Sequence, residues 1–581
     1  MFNIDISNEI EFSEKTPEIL DTFEFGEEKW PGKEWPVVYL IYNDTEVYVG
    51  ETVDAKSRMA QHYAKSERRR LKSVVLISDG SFNKSVIQDL EAYLISHVAA
   101  DSKFQKLQNG NSGFQKHAYY NCKKYEAEFR KVWDELVKRE LARKSAKVIE
   151  NSNIFKYSPY KTLTSDQYLV TSDIIRDLSD AIAKDKNRTF LVNGGAGTGK
   201  TVLGIYLAKL LVADISETAN LEDGETVSCL NLIHEKRDNF RVGIVIPMSN
   251  LRTIVKNTFR HTYGLSSSMV LSPTDVANSK EKYDLLIVDE AHRLRRRRNI
   301  VQYKAFDSSN KKLSFSTDGT ELDWILKQSK NQVFLYDSTQ SIKPTDIPKE
   351  KIEDMKRTRD CRILSLRTQI RCNRGGERYV DYISRIFSNC PPKERLDFPR
   401  YDFIIYDDVS EMVEEIKKRN AERGLCRTVA GYAWDWRTKK EKLVFKKEDS
   451  FATDVLIKNG IYDIDIDGAR FIWNTEYNGW LASPNSINEI GCIHTIQGFD
   501  LNYAGVIIGN ELRYSEERGL YIDRKSYRDV NGSKSASDDE LLEYILNIYK
   551  VLCTRGMLGT FVYVCDEGLR THLQKYILRR V

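Results

Sequence analysis

Residues Asn193–Thr201 read NGGAGTGKT, set between the apolar run TFLV (Thr189–Val192) and the helix-like run VLGIYLAKLL (Val202–Leu211). A strand before and a helix after are the context in which G-x-x-x-x-G-K-[ST] acts as a phosphate-binding loop. Glycines let successive backbone N–H groups close on phosphate oxygens, and the helix N-terminus adds positive potential. Gly194, Gly195, Ala196, Gly197, Thr198 and Gly199 are therefore expected to cradle the phosphates of ATP. Lys200 would reach the β- and γ-phosphates, and the Thr201 hydroxyl would hold Mg2+.

Outward from the loop, β-rich runs alternate with helical segments: RVGIVIP (Arg241–Pro247), YDLLIVDE (Tyr283–Glu290) and QVFLYD (Gln332–Asp337). That alternation predicts a parallel sheet, and a second series runs from near Arg362 to TFVYVCD (Thr560–Asp566). YDLLIVDEAH ends a buried strand on two adjacent carboxylates. Asp289 is expected to ligate magnesium and Glu290 to polarise the attacking water, because in-line hydrolysis needs a positioned acceptor. LTSDQ places Gln167 ahead of the loop, where it either reads adenine through its carboxamide or simply caps a helix. LYDSTQ offers Asp337 and Gln340 as sensors of the γ-phosphate. Arg371 in SLRTQIR, Thr495, Gln497, Gly498 and Asp500 in HTIQGFD, and Arg555 in YKVLCTRGM complete the set. A single surface arginine is ordinarily just solvated; the order and spacing of the set carry the reading.

The rest of the chain bounds these assignments. Its 581 residues suit several domains, each able to bury a core, and the composition is globular at 41% hydrophobic and 30% charged. A net charge of +4 means that any nucleic-acid surface must be a local patch. Nine cysteines without a C-x-x-C pair give neither a disulfide framework nor a zinc spacing. The acidic start lacks an apolar signal-peptide core, and no apolar stretch approaches the ~20 residues of a membrane span. The expected location is cytoplasmic.

The motifs GGAGTGKT, VDEAH, DSTQ, LRTQIRC, GYAWDW, HTIQGFD and VLCTRGM, in that order, resemble a superfamily 1 helicase of the Schlafen-type DNA/RNA helicase-like branch. The resemblance covers roughly Lys161 to the C-terminus and implies two RecA-like domains that clamp ATP. It implies arginine fingers at Arg371 and Arg555, and coupling of hydrolysis to a single-stranded DNA or RNA track through Gln340. Tyr336-Asp337 departs from the family's common Gly-Asp pair.

The engine carries no catalytic pair for cutting a backbone, but VVYLIYNDTEVYVGET (Val37–Thr52) lies upstream. VVY…YVG, with Arg58, Glu91 and an asparagine at 109 or 111, resembles a GIY-YIG endonuclease domain over about Trp35 to Lys116. Val37 stands where the family has its first glycine. The resemblance implies Mg2+ (with Mn2+ as a substitute) on Glu91, Tyr39 as general base and Tyr48 orienting water or phosphate. It also implies Arg58 on the non-bridging oxygens and His62 assisting proton transfer. Each has a plainer reading, since tyrosine is an ordinary strand former and a histidine at a helix end is usually structural.

The fold class expected is therefore α/β: a small GIY-YIG nuclease domain followed by two RecA-like parallel-sheet domains. The boundaries are an N-terminal arm over 1–33 (flexible or pairing), the nuclease-like domain over 34–123 and a connecting helix and linker over 124–160. The RecA-like domains take 161–350 and 351–581. The basic runs ERRRLK (Glu67–Lys72) and HRLRRRRN (His292–Asn299) are either phosphate contacts or solvated loops. Trp434 and Trp436 either stack on bases or pack internally. The function expected is an ATP-dependent motor or switch coupled to a metal-dependent endonuclease. The domain combination suggests anti-phage or restriction-like defence, with an oligomer or an accessory defence protein as partner. The alternative is an ATP-switched nucleic-acid sensor whose N-terminal domain only binds.

Overall fold

The computed structural model describes the chain apart from residues 1–3, 27–28, 32–33, 110–120, 161–162, 196, 214–222, 237–239, 301, 338–339, 341–343, 359, 370–375, 441–451, 477–478, 497–498, 530–532, 535 and 581. It folds as two compact units. The first comprises 1–187, 201–244 and 252–270, and the second comprises 188–200, 245–251 and 271–581. These are not the boundaries read from sequence, because the division falls inside the phosphate loop, between Lys200 and Thr201.

In the first unit, strands Val37–Tyr42 and Glu46–Thr52 form the hairpin, pairing Tyr39 with Gly50. Strand Ser73–Ser78 adds antiparallel to the first strand, and Lys106–Leu107 adds parallel to the second. Strand period 2 sends Val38, Leu40 and Tyr42 to the core shared with helix Lys84–Asp101. Val37, Tyr39 and Ile41 face the opposite side, with Met59 of helix Ala55–Ala64. Val37 is completely buried there, so the position that the family gives to glycine is filled by apolar packing.

The N-terminal arm takes the pairing one of its two expected forms, and the connecting helix differs from expectation. The N-terminal arm pairs: Asp5–Ile6 and Ile10–Glu11 run antiparallel to Ser73–Ser78, and Ile10, Phe12 and Leu20 are buried on the Tyr39 side. The connecting helix, Cys122–Lys138, is part of the nuclease core. Tyr125, Phe129, Val132, Trp133 and Leu136 line one face and are buried with Leu90 and Leu94. Burial of Phe129 alone contributes about 1.5–3 kcal/mol. The segment expected to connect two domains is, over Cys122–Lys138, an amphipathic helix packed by one face.

The second unit holds the parallel sheets. Tyr283–Val288, Ser329–Tyr336, Thr189–Gly194 and Cys361–Leu366 lie side by side in that order, every pair parallel. A second sheet orders Ile490–Cys492, Arg427–Ala430, Leu501–Ile508, Gly556–Val564, Asp402–Tyr406 and Leu578–Arg579. Leu501–Ile508 is buried at every position, as a parallel strand covered on both faces must be. Among the described residues, no helix is long and apolar enough to cross a membrane, and the cysteines are free thiols.

Candidate active sites

The nuclease-like site is built on the hairpin and one helix. Helix Ala55–Ala64 starts at Asp54, whose carboxylate accepts from the Ser57 N–H at 3.0 Å. The i, i+4 spacing then puts Arg58 and His62 on one helical face. Tyr39 is fully buried, and its hydroxyl lies 2.7 Å from His62 Nε2. Arg58 Nε donates to the same hydroxyl at 3.4 Å. The Tyr48 and His62 rings pack edge to face with centroids 4.8 Å apart. A side chain at Gly50 would place its Cβ 2.3 Å from the Tyr39 hydroxyl, so the glycine of the second triplet is what lets the Tyr39 ring cross the neighbouring strand.

Asn109 engages the hairpin: its carboxamide donates to Val49 O at 2.8 Å and accepts from Val49 N–H at 3.0 Å. It extends the sheet by one side chain and fixes the backbone between Tyr48 and Gly50. Asn111 lies outside the described residues.

Burial raises the Tyr39 phenol well above the usual tyrosine range, and Tyr48 adds to the rise while Arg58 opposes it. The expected lowering by Arg58 exists but is outweighed, so Tyr39 rests as a neutral phenol. Burial and then the charge of Arg68 keep His62 neutral, far below an ordinary imidazole. Glu91, on helix Lys84–Asp101, is pushed up to about 8 by burial and by the charge of Glu51, with Lys84 and Arg58 opposing. Lys84 is drawn to Glu51, 2.5 Å away, and among the described residues no cation pairs with Glu91. A buried carboxyl without a cation fits a divalent ion, whose arrival would replace the proton. Among the described residues no three metal-ligating side chains cluster, so water and phosphate would complete the shell, as magnesium prefers.

The nucleotide site begins where strand Thr189–Gly194 ends. Gly197 and Gly199 take left-handed φ of +82° and +76°, and helix Lys200–Val212 follows. Lys200 is buried and folds back on its own loop, donating to Gly194 O at 2.6 Å and Gly195 O at 2.9 Å, with Asp337 at 3.6 Å. Asp289 and Glu290 follow strand Tyr283–Val288, both buried. Glu290 adopts φ +51°, a left-handed conformation that costs a non-glycine residue about 1–3 kcal/mol. Burial acts to raise its pKa, but His292 at 3.1 Å, Lys200 and Arg293 outweigh that and hold it ionised.

Gln340 donates to Asp337 at 2.5 Å, and Arg555 Nη2 donates to the Gln340 carbonyl oxygen Oε1 at 3.5 Å. Arg555 also donates to Phe499 O at 3.3 Å and is buried. A cavity of about 580 Å3 opens beside this chain of contacts, lined in part by Gly194, Gly195, Asp337, Gln340, Arg367 and Lys550. Ala196, Arg371, Gln497 and Gly498 lie outside the described residues.

Gln167 is buried in a capping box: its Oε1 accepts from the Thr164 N–H at 3.0 Å. The helix-cap reading is the one its carboxamide oxygen follows. The arginines after His292 are tied down within the chain. Arg295 pairs with Glu321, Arg297 with Asp307 and Arg298 with Glu540, while Arg296 donates to Pro344 O. Trp434 and Trp436 pack around Trp473 at 6.2 and 6.3 Å. In the first unit, Lys106 of the nuclease sheet lies 4.0 Å from the Tyr263 ring centroid, and Lys209 of the phosphate-loop helix lies 5.5 Å from the same centroid. The sequence reading missed this shared ring and the inward turn of Arg68, because neither belongs to a spaced motif.

Residues 187–566 match the model of the Schlafen group 3 DNA/RNA helicase domain, and residues 36–108 match the GIY-YIG catalytic domain. An uncharacterised protein of Saccharomyces cerevisiae is 25% identical over 454 residues, which is 71% of this chain and 90% of the yeast protein. Among solved structures, Bacteroides Pif1 helicase in complex with ADP-AlF3 and single-stranded DNA is similar at 12% identity and a TM-score of 0.24, over 69% of this chain and 92% of that one. The same helicase bound to single-stranded DNA gives 12% and 0.25 over the same shares. The chain belongs to the Schlafen group 3 DNA/RNA helicase family, with a GIY-YIG domain ahead of its helicase domain.

Proposed function

We propose that the protein is an ATP-gated, metal-dependent endonuclease of DNA or RNA. The observation that carries this reading is the convergence of Tyr39, Tyr48, Arg58 and His62 in one hydrogen-bonded cluster on the hairpin. Tyr39 first gives its phenol proton to solvent, and its oxygen then takes a proton from water as the water oxygen bonds to phosphorus; the bond from phosphorus to the leaving oxygen breaks with its electron pair, and that oxygen takes a proton from solvent. Arg58 holds the non-bridging oxygens and Tyr48 orients the water or phosphate. Glu91 would hold Mg2+, which supplies charge to the leaving oxygen when bound.

On the nucleotide side, Lys200 leaves the loop carbonyls for the β- and γ-phosphates, and Thr201 and Asp289 would hold Mg2+. Glu290, held ionised, accepts from the attacking water. Arg371 and Arg555 offset transition-state charge, a role worth ~10³ to 10⁵ in related NTPases. Gln340, which contacts both Asp337 and Arg555, reports the nucleotide state to the nucleic-acid track. Gating is supported by Tyr263, whose ring is shared by Lys209 of the phosphate-loop helix and Lys106 of the nuclease sheet. A role against invading nucleic acid rests on the domain combination and stays part of this proposal.

The test is a nicking assay of the full chain on plasmid DNA and on RNA, with Mg2+, Mn2+ or chelator, each with and without ATP. Cleavage that requires the metal and increases with ATP is expected. No cleavage of either substrate under any condition overturns the nuclease assignment and leaves the ATP-switched sensor. Equal cleavage with and without ATP overturns the gating.

A further inference from the structure

Arg68 is the member of the Glu67–Lys72 run that the fold turns inward. Arg69 donates to Tyr63 O at 2.9 Å and Arg70 pairs with Glu46 at 3.0 Å; both are exposed, whereas Arg68 is 6% exposed. Two turns fix its backbone, its N–H donating to Lys65 O and its carbonyl accepting from the Leu71 N–H, both at 3.0 Å, with Leu71 buried beyond. The guanidinium lies 3.6 Å from the centroid of the Tyr48 ring, and its Nη1 donates to His62 Nδ1. Among the described residues no carboxylate pairs with it. A buried arginine is ordinarily held by an acid, so one spent on an aromatic face and an imidazole calls for a reason.

The reason lies in hydrogen-bond polarity. A guanidinium only donates, so Nδ1 must present its lone pair. The proton of the neutral ring then sits on Nε2, which faces the Tyr39 hydroxyl at 2.7 Å. That makes the Tyr39 oxygen an acceptor, and Arg58 Nε is a second donor to it at 3.4 Å. We propose that Arg68 is a positioning residue of the nuclease site: it locks His62 in the Nε2–H tautomer, so that His62 donates to the Tyr39 oxygen instead of taking its proton. The inference rests on the nuclease reading and gives His62 a definite role. With both donors in place the phenolate is stabilised, and the phenol proton is directed away from His62. Without Arg68 the Nδ1–H tautomer becomes available, and a neutral Tyr39 O–H donating to Nε2 would bury the proton that the base must lose.

The test uses the full chain labelled with 15N-histidine, long-range 1H–15N spectra, and the signal assigned by its loss in His62→Gln. The wild type is expected to show an unprotonated Nδ1 and a protonated Nε2. Arg68→Met, similar in length but without a donor, is expected to lose that signature and to lower kcat for cleavage by about tenfold or more, with KM little changed because Arg68 is buried. Arg68→Lys, which restores one donor, is expected to recover the tautomer and part of kcat. A wild-type His62 protonated on Nδ1, or an Arg68→Met or Arg68→Lys result opposite to these, overturns the proposal. A wild type that shows the expected tautomer but cuts nothing overturns the nuclease reading alone.

Discussion

Glu91→Ala is expected to lower phosphodiester cleavage by about a thousandfold or more while nucleic-acid-stimulated ATP turnover stays at the wild-type level. Glu91 is the carboxylate assigned to the nuclease metal, and a metal's stabilisation of transition-state charge is worth several kcal/mol, with each ~1.4 kcal/mol a factor of ten. The substitution should leave the fold intact. Burial and Glu51 push the carboxyl up to about 8, and it is paired with no cation among the described residues, so alanine orphans no partner charge. Helix Lys84–Asp101 is also insensitive to the change, since alanine is the best helix former. Cleavage and phosphate release measured on one preparation, with a thermal melt as control, check the expectation. Cleavage retained in Glu91→Ala would move the metal to another residue.

Lys200→Ala is expected to do the opposite: ATP turnover falls below detection, and cleavage in the presence of ATP drops to its ATP-free level. The ammonium is the group assigned to the β- and γ-phosphates, and no neighbouring lysine replaces it in the loop sequence. This side chain also donates to Gly194 O and Gly195 O and lies beside Asp337. Its loss therefore costs about 1–3 kcal/mol from buried acceptors left short of a donor. Gln340 still donates to Asp337, which limits the damage. Steady-state phosphate release and a binding titration with nucleic acid separate a dead loop from an unfolded chain; normal turnover would rule out the loop assignment.

The two candidate sites were legible for different reasons. The phosphate loop is readable because its backbone conformation demands glycine at spaced positions, and Gly197 and Gly199 do adopt left-handed φ. The nuclease hairpin is readable because strand period and the i, i+4 spacing of Arg58 and His62 place side chains without tertiary information. What failed to read is what depends on partners far away in sequence. The arginines of His292–Asn299 read as phosphate contacts or a solvated loop, yet Arg295, Arg297 and Arg298 pair with Glu321, Asp307 and Glu540, and nothing local announces those acids. The run Glu67–Lys72 reads as phosphate contacts or a solvated loop, and neither reading foresees that the turns after helix Ala55–Ala64 send Arg68 inward and its neighbours outward. The helix Cys122–Lys138 was expected from its period, while its place in the nuclease core follows from an apolar face that needs a surface to cover.

The central claim is that ATP binding, rather than the pulling of a strand, turns the nuclease on. Glu290→Gln tests it most directly. The carboxylate that His292, Lys200 and Arg293 keep ionised becomes a carboxamide of the same shape, so ATP should bind and remain uncut. Cleavage is then measured with ATP and Mg2+ on one long and one short substrate. The gating account predicts cutting of both at or above the wild-type rate, because the ATP-bound state persists. Cutting confined to the point where the strand enters would mean a motor that feeds the nuclease, and activity lost on both substrates would contradict the account outright.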